Sequence, residues 1–158
     1  MMTRIDARDR LIVALDVPSA AEADALVARM GDQVRFVKVG LELYTVAGPD
    51  IVRKLVDRGK RVFLDLKFLD IEETVRRATA RVAAMGATFL TVHANRKALI
   101  AAVQGRGSSD LKLLAVTVLT NFDGEDLREM GIQRSVQDLV TARAMLAAEV
   151  GCDGVVAS

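Results

Sequence analysis

Four stretches of the chain repeat one pattern: an amphipathic run with helical spacing, then a glycine, then a short apolar run. A glycine directly after a helix is a common stop, because it adopts a left-handed backbone without steric penalty. The apolar runs are rich in Val, Ile, Leu and Phe and do not alternate cleanly, which is typical of strands buried on both faces of a parallel sheet. The stretches are Ala20–Met30, Gly31 and Phe36–Gly40; Ile51–Arg58, Gly59 and Val62–Leu66; Val75–Met85, Gly86 and Phe89–Ala94; and Leu139–Val150, Gly151 and Gly154–Ala157.

Two further strands complete a predicted series of six. Apolar runs of the same character lie at Leu11–Val17 and Leu111–Leu119. Helices are predicted to begin near Ser19, Pro49, Glu73, Arg96 and Ser135, with a short one near Asp126. Strands and helices therefore alternate, and this order predicts an α/β fold with right-handed crossovers. The loop at Gly105–Asp110 is predicted to be the most flexible stretch.

Composition narrows the class of protein. The chain has 158 residues, of which 51% are hydrophobic, and its formal net charge is +1. That balance argues against a nucleic-acid partner, and no run approaches the roughly 18 consecutive apolar residues of a membrane span. The charged start, Met1–Arg10, does not fit a secretory signal, and the single cysteine, Cys152, fits a reducing compartment. We expect one domain over residues 1–158 in the cytoplasm.

Polar side chains gather where the predicted strands end. The carboxyl ends of parallel strands build the active sites of such folds, so six strands that all carry polar groups there indicate a site. Taken singly, an aspartate after a strand is more often a cap, and a lone histidine is more often a hydrogen-bonded structural residue. Among the residues at these ends are Asp16, Lys38, Asp65, Lys67, Asp70, His93 and Thr120, and the sixth strand stops at Ser158, which lies outside the residues that the structure describes.

Two lysines and an aspartate lie inside runs that should be buried. Lys38 follows Phe36–Val37, and Asp65 and Lys67, two residues apart, share one face of a strand. A buried lysine must be paired or lose its charge. We therefore expect a charged network at the carboxyl rim of the sheet. Since buried ion pairs are weak stabilisers, a functional role is favoured over a purely structural cluster.

The string Asp65-Leu-Lys67-Phe-Leu-Asp70 resembles the Asp-x-Lys-x-x-Asp motif of the orotidine 5′-monophosphate (OMP) decarboxylase superfamily, the ribulose-phosphate-binding barrels. Further landmarks occur in the same order along nearly the whole chain. They are Ala14-Leu-Asp16-Val, Val37-Lys38-Val-Gly40, Thr91-Val-His93-Ala, Ala115-Val-Thr-Val-Leu-Thr120 and Asp153-Gly-Val-Val. The resemblance implies a (β/α)8 TIM-barrel fold, here with about six βα units.

The resemblance also implies an activity: decarboxylation of OMP to UMP in de novo pyrimidine biosynthesis, without cofactor or metal. Lys67 would protonate C6 of the pyrimidine, and Asp65 would sit beside the substrate carboxylate and hold Lys67. Lys38 would bridge Asp65 and the ribose, and Asp16 would bind a ribose hydroxyl.

Four further positions acquire roles from the same resemblance. Asp70 and Thr74 would reach into a partner's site across a homodimer. Thr120 would hydrogen-bond the pyrimidine, and His93 would line the substrate site. The dimer would form through the loops after strands three and four, or through open strand edges.

Some features depart from the family pattern. Leu69 and Glu72 stand where a histidine or small residue and a proline are usual, and Asn95–Lys97 replaces a loop often rich in aromatic residues and proline. Such barrels typically take about 250 residues and hold phosphate after strands seven and eight, so we expect weak or no activity from these 158 residues alone. Two alternatives stay open: a non-catalytic truncated or engineered scaffold, and a magnesium-dependent sugar-phosphate lyase, which Lys38 disfavours.

Overall fold

A computed structural model describes residues 6–157 as one parallel sheet flanked by helices. The sheet has six strands in sequence order, so each strand pairs with the one before it and β1 and β6 form the two edges. The predicted α/β class and the order of the strands are confirmed. The strands are β1 Ile12–Ala14, β2 Phe36–Gly40, β3 Arg61–Phe68, β4 Phe89–His93, β5 Lys112–Val116 and β6 Gly154–Val156.

Helices connect successive strands, and the five predicted starting points agree with the structure to within one residue. Two short helices, Ala7–Arg10 and Leu41–Ala47, were not predicted from the pattern. None of the helices in the described part of the chain is both long and apolar enough to cross a membrane. The helices are α1 Ala7–Arg10, α2 Ala20–Met30, α3 Leu41–Ala47, α4 Asp50–Asp57, α5 Glu72–Ala84, α6 Arg96–Arg106, α7 Gly124–Glu129 and α8 Val136–Val150.

The two faces of the central strands carry different side chains, as the two-residue period of a strand requires. One face packs against the helices and is fully apolar, with Val37 and Val39 on β2 and Leu90 and Val92 on β4 in the main core. The other face carries three phenylalanine rings near the amino ends of β2, β3 and β4. The Phe36 and Phe89 ring centroids are 5.0 Å apart, and Phe63 meets Phe89 edge-on at 5.9 Å. These rings form an apolar layer beneath the polar residues further along the same strands.

The predicted flexible loop after α6 is shorter and better anchored than expected. Gly105 and Arg106 belong to α6, and the Arg106 guanidinium forms an ion pair with Asp153 at 2.5 Å and donates to the Gly151 carbonyl. Asp153 also accepts from the Leu113 backbone N–H at 2.9 Å. These contacts tie the segment to the start of β5 and the loop before β6, and the sequence pattern gives no sign of such long-range pairing.

Gly105 marks the closest approach between α5 and α6. A Cβ built at this position would lie 2.2 Å from the Arg76 carbonyl oxygen and 3.0 Å from Thr79 Cβ. Such short contacts force one helix to shift, so any side chain at position 105 separates the two helices. The hydroxyl of Thr79 is fully buried and has no hydrogen-bond partner, which fits a junction shaped by tight packing.

We expect Gly105→Ala to lower the free energy of unfolding by about 1–3 kcal/mol, the usual cost of overpacking a rigid junction. The measurement is a urea denaturation curve followed by circular dichroism. Gly124→Ala is the matched control, since no atom lies within 4 Å of its Cβ position, and it should keep the parent stability. Equal midpoints for the two variants would contradict the close packing described above.

Candidate active site

The parallel register brings the polar residues of neighbouring strands to one end of the sheet. Lys38 on β2 lies opposite Phe63 of β3, whereas Gly40 lies opposite Asp65. Thr91 on β4 follows the Leu64–Leu90 pair. Lys38, Asp65 and Thr91 therefore continue the sheet face that carries the phenylalanine rings, but nearer the carboxyl ends of the strands.

Asp65 and Lys67 form an ion pair at this end of β3. Lys67 Nζ lies 3.0 Å from both carboxylate oxygens of Asp65, and the side chains are 31% and 17% exposed respectively. A carboxylate thus holds the ammonium at the carboxyl end of the sheet, where the side chain of Lys67 is mostly shielded from bulk water. The spacing of the two residues predicted a shared face, and the contact between them is the one that the family resemblance implied.

The backbone at Lys67 is unusual. Its φ angle is +50°, and no other non-glycine residue in the described part of the chain has a positive φ. The β3–β4 register shifts at the same place, between Leu64 and Phe68. A left-handed conformation costs an ordinary residue about 1–2 kcal/mol. Strain of this kind concentrates at functional sites, where the surrounding structure enforces it.

Thr91 contacts both members of the ion pair. Its hydroxyl donates to Asp65 Oδ1 at 2.9 Å, and Thr91 Oγ1 accepts the backbone N–H of Lys67 at 2.9 Å. The residue is fully buried. Thr91 is only a landmark of the family resemblance. Its position two residues before His93, on the same strand face, is the signal that could have placed it in the site.

Lys38 forms a second ion pair, with Asp16 in the loop after β1. Lys38 Nζ donates to Asp16 Oδ1 at 2.8 Å. The expected bridge from Lys38 to Asp65 is not formed. The register does not separate the two carboxylates, because Asp16 and Asp65 each lie two residues beyond the residue that pairs with Lys38. The Asp65 carboxylate is instead held by Lys67 and by the Thr91 hydroxyl. The nearer partner of Lys38 lies on the β1 side of the sheet.

Gly40 keeps space open beside this second pair. A Cβ at position 40 would lie 3.3 Å from both Asp16 Oδ1 and Lys38 Nζ, so a side chain there would press on both charged groups. The glycine also stands opposite Asp65 in the register. The absence of a side chain therefore lets the Lys38–Asp16 pair lie close against the backbone of β2.

His93, the only histidine in the sequence, ends β4 and is half-buried. Burial lowers the pKa of its imidazole below 6.5, and the positive charges of Arg143 and Lys67 lower that pKa further. Arg143, on α8, is itself partly buried, which lowers the pKa of its guanidinium, and it donates to the Thr117 carbonyl. Sequence reasoning missed Arg143, because nothing in the pattern of α8 sets it apart.

Three of the predicted site residues are not brought into contact with the ion pairs. Asp70 is exposed in the turn after β3, where its Oδ1 accepts the N–H of Ile71 at 2.7 Å. Thr74 is exposed in the first turns of α5, and Thr120 is exposed in the loop after β5. All three lie on the carboxyl-end side of the sheet, beyond the layer that holds Asp65 and Lys67.

The arrangement suits chemistry in which negative charge develops on a substrate. A fixed ammonium in a partly dry setting stabilises such charge without having to reorganise. The same group carries a proton that it can donate. In the described part of the chain, no group of three or more His, Cys, Asp or Glu residues is placed to hold a metal ion.

Comparison with known proteins agrees with this geometry. Residues 9–158 match the sequence model of the orotidine 5′-phosphate decarboxylase / HUMPS family. The chain is 57% identical over 152 residues to the orotidine 5′-phosphate decarboxylase of Nitrobacter winogradskyi, a match that covers 96% of this chain and 63% of that protein. It is 49% identical over 158 residues to the enzyme of the same name from Rhodopseudomonas palustris strain BisA53, covering 100% of this chain and 67% of that protein. The chain thus spans about two thirds of the length of these curated relatives.

Solved structures share the fold. The crystal structure of orotidine 5′-phosphate decarboxylase from Lactobacillus acidophilus superposes with a TM-score of 0.87 at 38% identity, over 94% of this chain and 70% of that one. An uncharacterized conserved protein from Geobacillus kaustophilus gives a TM-score of 0.87 at 41% identity, over 92% of this chain and 72% of that one. The six parallel strands therefore form a curled part of a TIM-barrel-like sheet, which confirms the predicted fold class.

The pKa of His93 reports whether the positive charge of Lys67 lies near the imidazole. Lys67→Ala removes a nearby positive charge, so protonation of the imidazole becomes easier and the pKa of His93 should rise toward 6.5. A nuclear magnetic resonance titration measures this without ambiguity, since the chain has one histidine. Arg77→Ala, which removes an exposed charge paired with Glu73 on α5, should leave the titration unchanged. An unaltered His93 pKa in Lys67→Ala would show that the ammonium lies elsewhere.

Proposed function

Because the chain belongs to the orotidine 5′-phosphate decarboxylase / HUMPS family, we propose that it carries the reaction centre of an OMP decarboxylase. The reaction converts OMP to UMP and carbon dioxide, a step in de novo pyrimidine biosynthesis, with no cofactor. One observation carries the proposal: the Lys67 ammonium is held 3.0 Å from both oxygens of Asp65 at the carboxyl end of the sheet. Relatives at 57% and 49% identity bear the name of this enzyme.

Lys67 acts on the carbon that loses the carboxylate. The bond between C6 and the carboxylate carbon breaks, carbon dioxide leaves, and the electron pair remains on C6. Lys67 then donates a proton from Nζ to C6, which completes the C–H bond of the product and leaves a neutral amine. The ammonium faces more negative charge as the bond breaks, so it stabilises the transition state more than the bound substrate.

Asp65 has two roles in this proposal. It holds the Lys67 ammonium in place through both carboxylate oxygens. It also lies where a substrate carboxylate on C6 must approach the ammonium, so the two carboxylates repel each other until carbon dioxide departs. This repulsion is relieved in the transition state, which favours loss of the substrate carboxylate.

The Lys38–Asp16 pair binds the sugar. A lysine and an aspartate at 2.8 Å offer both a donor and an acceptor to ribose hydroxyl groups. We propose further that His93 lines the site and that Thr120, in the loop after β5, hydrogen-bonds the pyrimidine. The neutral imidazole of His93 is well suited to lining the site, since it can donate a hydrogen bond from one ring nitrogen and accept one at the other.

The alternatives are less well supported. A magnesium-dependent sugar-phosphate lyase needs an acidic metal ligand on β2, and that position carries Lys38, whose positive charge repels a cation. A non-catalytic scaffold has no need for a strained backbone or for a partly buried ion pair, both of which weigh against stability.

The single, half-buried Cys152 agrees with the reducing cytoplasm, where we propose that the protein acts.

We expect Lys67→Ala to reduce orotidylate turnover by at least about a thousandfold, or to the uncatalysed rate, because it removes both the charge and the proton donor. The assay follows the loss of ultraviolet absorbance of OMP, with and without EDTA. Lys54→Ala is the matched control, since it also removes a lysine paired with an aspartate, Asp24, but on the surface. It should retain parent activity.

Two outcomes of this assay would contradict the proposal: turnover by Lys67→Ala at the parent rate, and dependence of OMP turnover on a metal that EDTA removes. The absence of turnover from the folded parent chain would favour the non-catalytic scaffold. Turnover of a sugar phosphate that EDTA abolishes would favour the magnesium-dependent alternative.

We propose that two copies of the chain associate through the loops after β3 and β4. Leu69 and Ile71, on either side of Asp70, are 59% and 70% exposed, which is high for large apolar side chains next to a site. Glu72 and Lys97 connect these two loops through an ion pair at 3.2 Å. An association through this surface would carry Asp70 and Thr74 to the partner's site. Pairing through the edge strands β1 and β6 is the alternative.

The double variant Leu69→Asp/Ile71→Asp should shift the chain from dimer to monomer, because it places charges in a contact that needs apolar surface. Sedimentation velocity at several concentrations measures the change. Met145→Asp is the control, since Met145 on α8 is similarly exposed at 69%, and it should leave the dimer intact. A dimer that survives the double variant but is lost in Val155→Asp, on β6, would instead indicate edge pairing.

A further inference from the structure

Thr91 is a buried polar residue to which neither the motif nor the proposed reaction assigns a role. It lies in the middle of β4, between the buried residues Leu90 and Val92, and its side chain is fully inaccessible to solvent. Being buried, its hydroxyl cannot contact water, so all of its hydrogen bonds are made inside the protein. Both of them go to β3.

The Thr91 hydroxyl is the donor in one of these hydrogen bonds and the acceptor in the other. The O–H group donates to Asp65 Oδ1, and the oxygen accepts the backbone N–H of Lys67, each at 2.9 Å. A hydroxyl has a single proton to donate, so its donor capacity is committed entirely to the carboxylate. One side chain thus fixes an oxygen of Asp65 and the main chain of Lys67 together.

The irregular pairing of β3 and β4 explains why a side chain is needed here. Leu64 pairs with Leu90, and the next pair is Phe68 with Val92. Three residues of β3, numbers 65 to 67, therefore face the single residue Thr91. In a regular ladder the Lys67 N–H would bond to a carbonyl of the neighbouring strand, whereas in this bulge the Thr91 hydroxyl takes the place of that carbonyl.

The position of the Lys67 ammonium depends on both groups that Thr91 holds. The left-handed φ of +50° sets the direction in which the lysine side chain leaves the strand. The orientation of the Asp65 carboxylate sets where Nζ finds its two oxygens. If the hydroxyl is removed, the N–H and one carboxylate oxygen both lose a buried partner, and the bulge is free to relax.

We propose that Thr91 is a positioning residue, whose hydroxyl holds the strained bulge and the Asp65 carboxylate so that Lys67 Nζ is aimed at the reacting carbon. This proposal rests on the proposed function for its catalytic consequence. The hydrogen-bonding part of it is independent of any activity. Thr91 itself does not touch the reacting atoms.

The first test is hydrogen exchange of the Lys67 amide, followed by nuclear magnetic resonance on the parent chain and its variants. Thr91→Val keeps the shape but removes the hydroxyl, and the Lys67 amide should exchange faster by about tenfold. Thr91→Ser keeps the hydroxyl and should preserve slow exchange. Thr117→Val is the matched control, since Thr117 is also fully buried and its hydroxyl bonds to the Val156 carbonyl instead.

The second test is kinetic. In Thr91→Val, kcat for OMP should fall by about a hundredfold, as expected when a reacting group is misplaced by about 1 Å, while KM stays within about twofold of the parent value. Thr91→Ser should recover most of kcat, and Thr117→Val should keep it. A general loss of stability would lower the amount of active protein without this rescue by serine.

The results separate this proposal from the proposed function. Fast exchange of the Lys67 amide in the parent chain overturns the positioning role, and so does parent-like exchange in Thr91→Val. The measurement on the parent chain tests the positioning role even if Thr91→Val does not fold. Equal kcat in Thr91→Val and the parent overturns it as well. If the parent chain shows the expected exchange but no OMP turnover, the hydrogen bonds are supported, and the catalytic role fails together with the proposed function.

Discussion

The ion pair between Asp65 and Lys67 is the interaction on which the site depends, and it is held where stability alone would not place it. Charged groups that are partly removed from water lose hydration, and their mutual attraction returns little net stability. Lys67 adds the cost of a left-handed backbone. A fold that tolerates both must obtain enough free energy elsewhere, and the apolar core between the sheet and its helices is that source.

The layers on the inner face of the sheet explain how the ion pair keeps a defined geometry. The rings of Phe36, Phe63 and Phe89 lie closer to the amino ends of the strands and contact one another. Asp65 comes two residues after Phe63 on the same face. The charged groups therefore rest on an apolar layer and open only toward the carboxyl ends, where a substrate can enter. On the side of the phenylalanine rings, few polar groups compete for the Lys67 ammonium.

The sequence was sufficient for those features that local pattern controls. Buried apolar runs predicted the strands, and helix stops such as Gly31 predicted the alternation of helices and strands along the chain. The sequential order of the strands within the sheet was implied by the resemblance to barrel proteins. The spacing of Asp65 and Lys67 likewise predicted that both side chains share one face, and the family resemblance implied their contact. Features that depend on how two strands align were not predictable. The bulge opposite Thr91 follows from register. The pairing of Lys38 with Asp16 rather than Asp65 goes with the contacts that Lys67 and Thr91 make to the Asp65 carboxylate. Register is set by the assembled sheet and not by either strand alone.

The electrostatics of the rim favour an anionic ligand. Arg143 donates to the Thr117 carbonyl, and no carboxylate in the described residues pairs with it, so its charge is less compensated than those of Lys38 and Lys67. This charge and that of Lys67 help to keep His93 neutral. Burial is the largest cause of the lowered pKa of His93, and the charges of Arg143 and Lys67 add a positive potential that favours an anionic ligand. Binding such a ligand would in turn raise the pKa of His93, because the added negative charge opposes the cations that lower it.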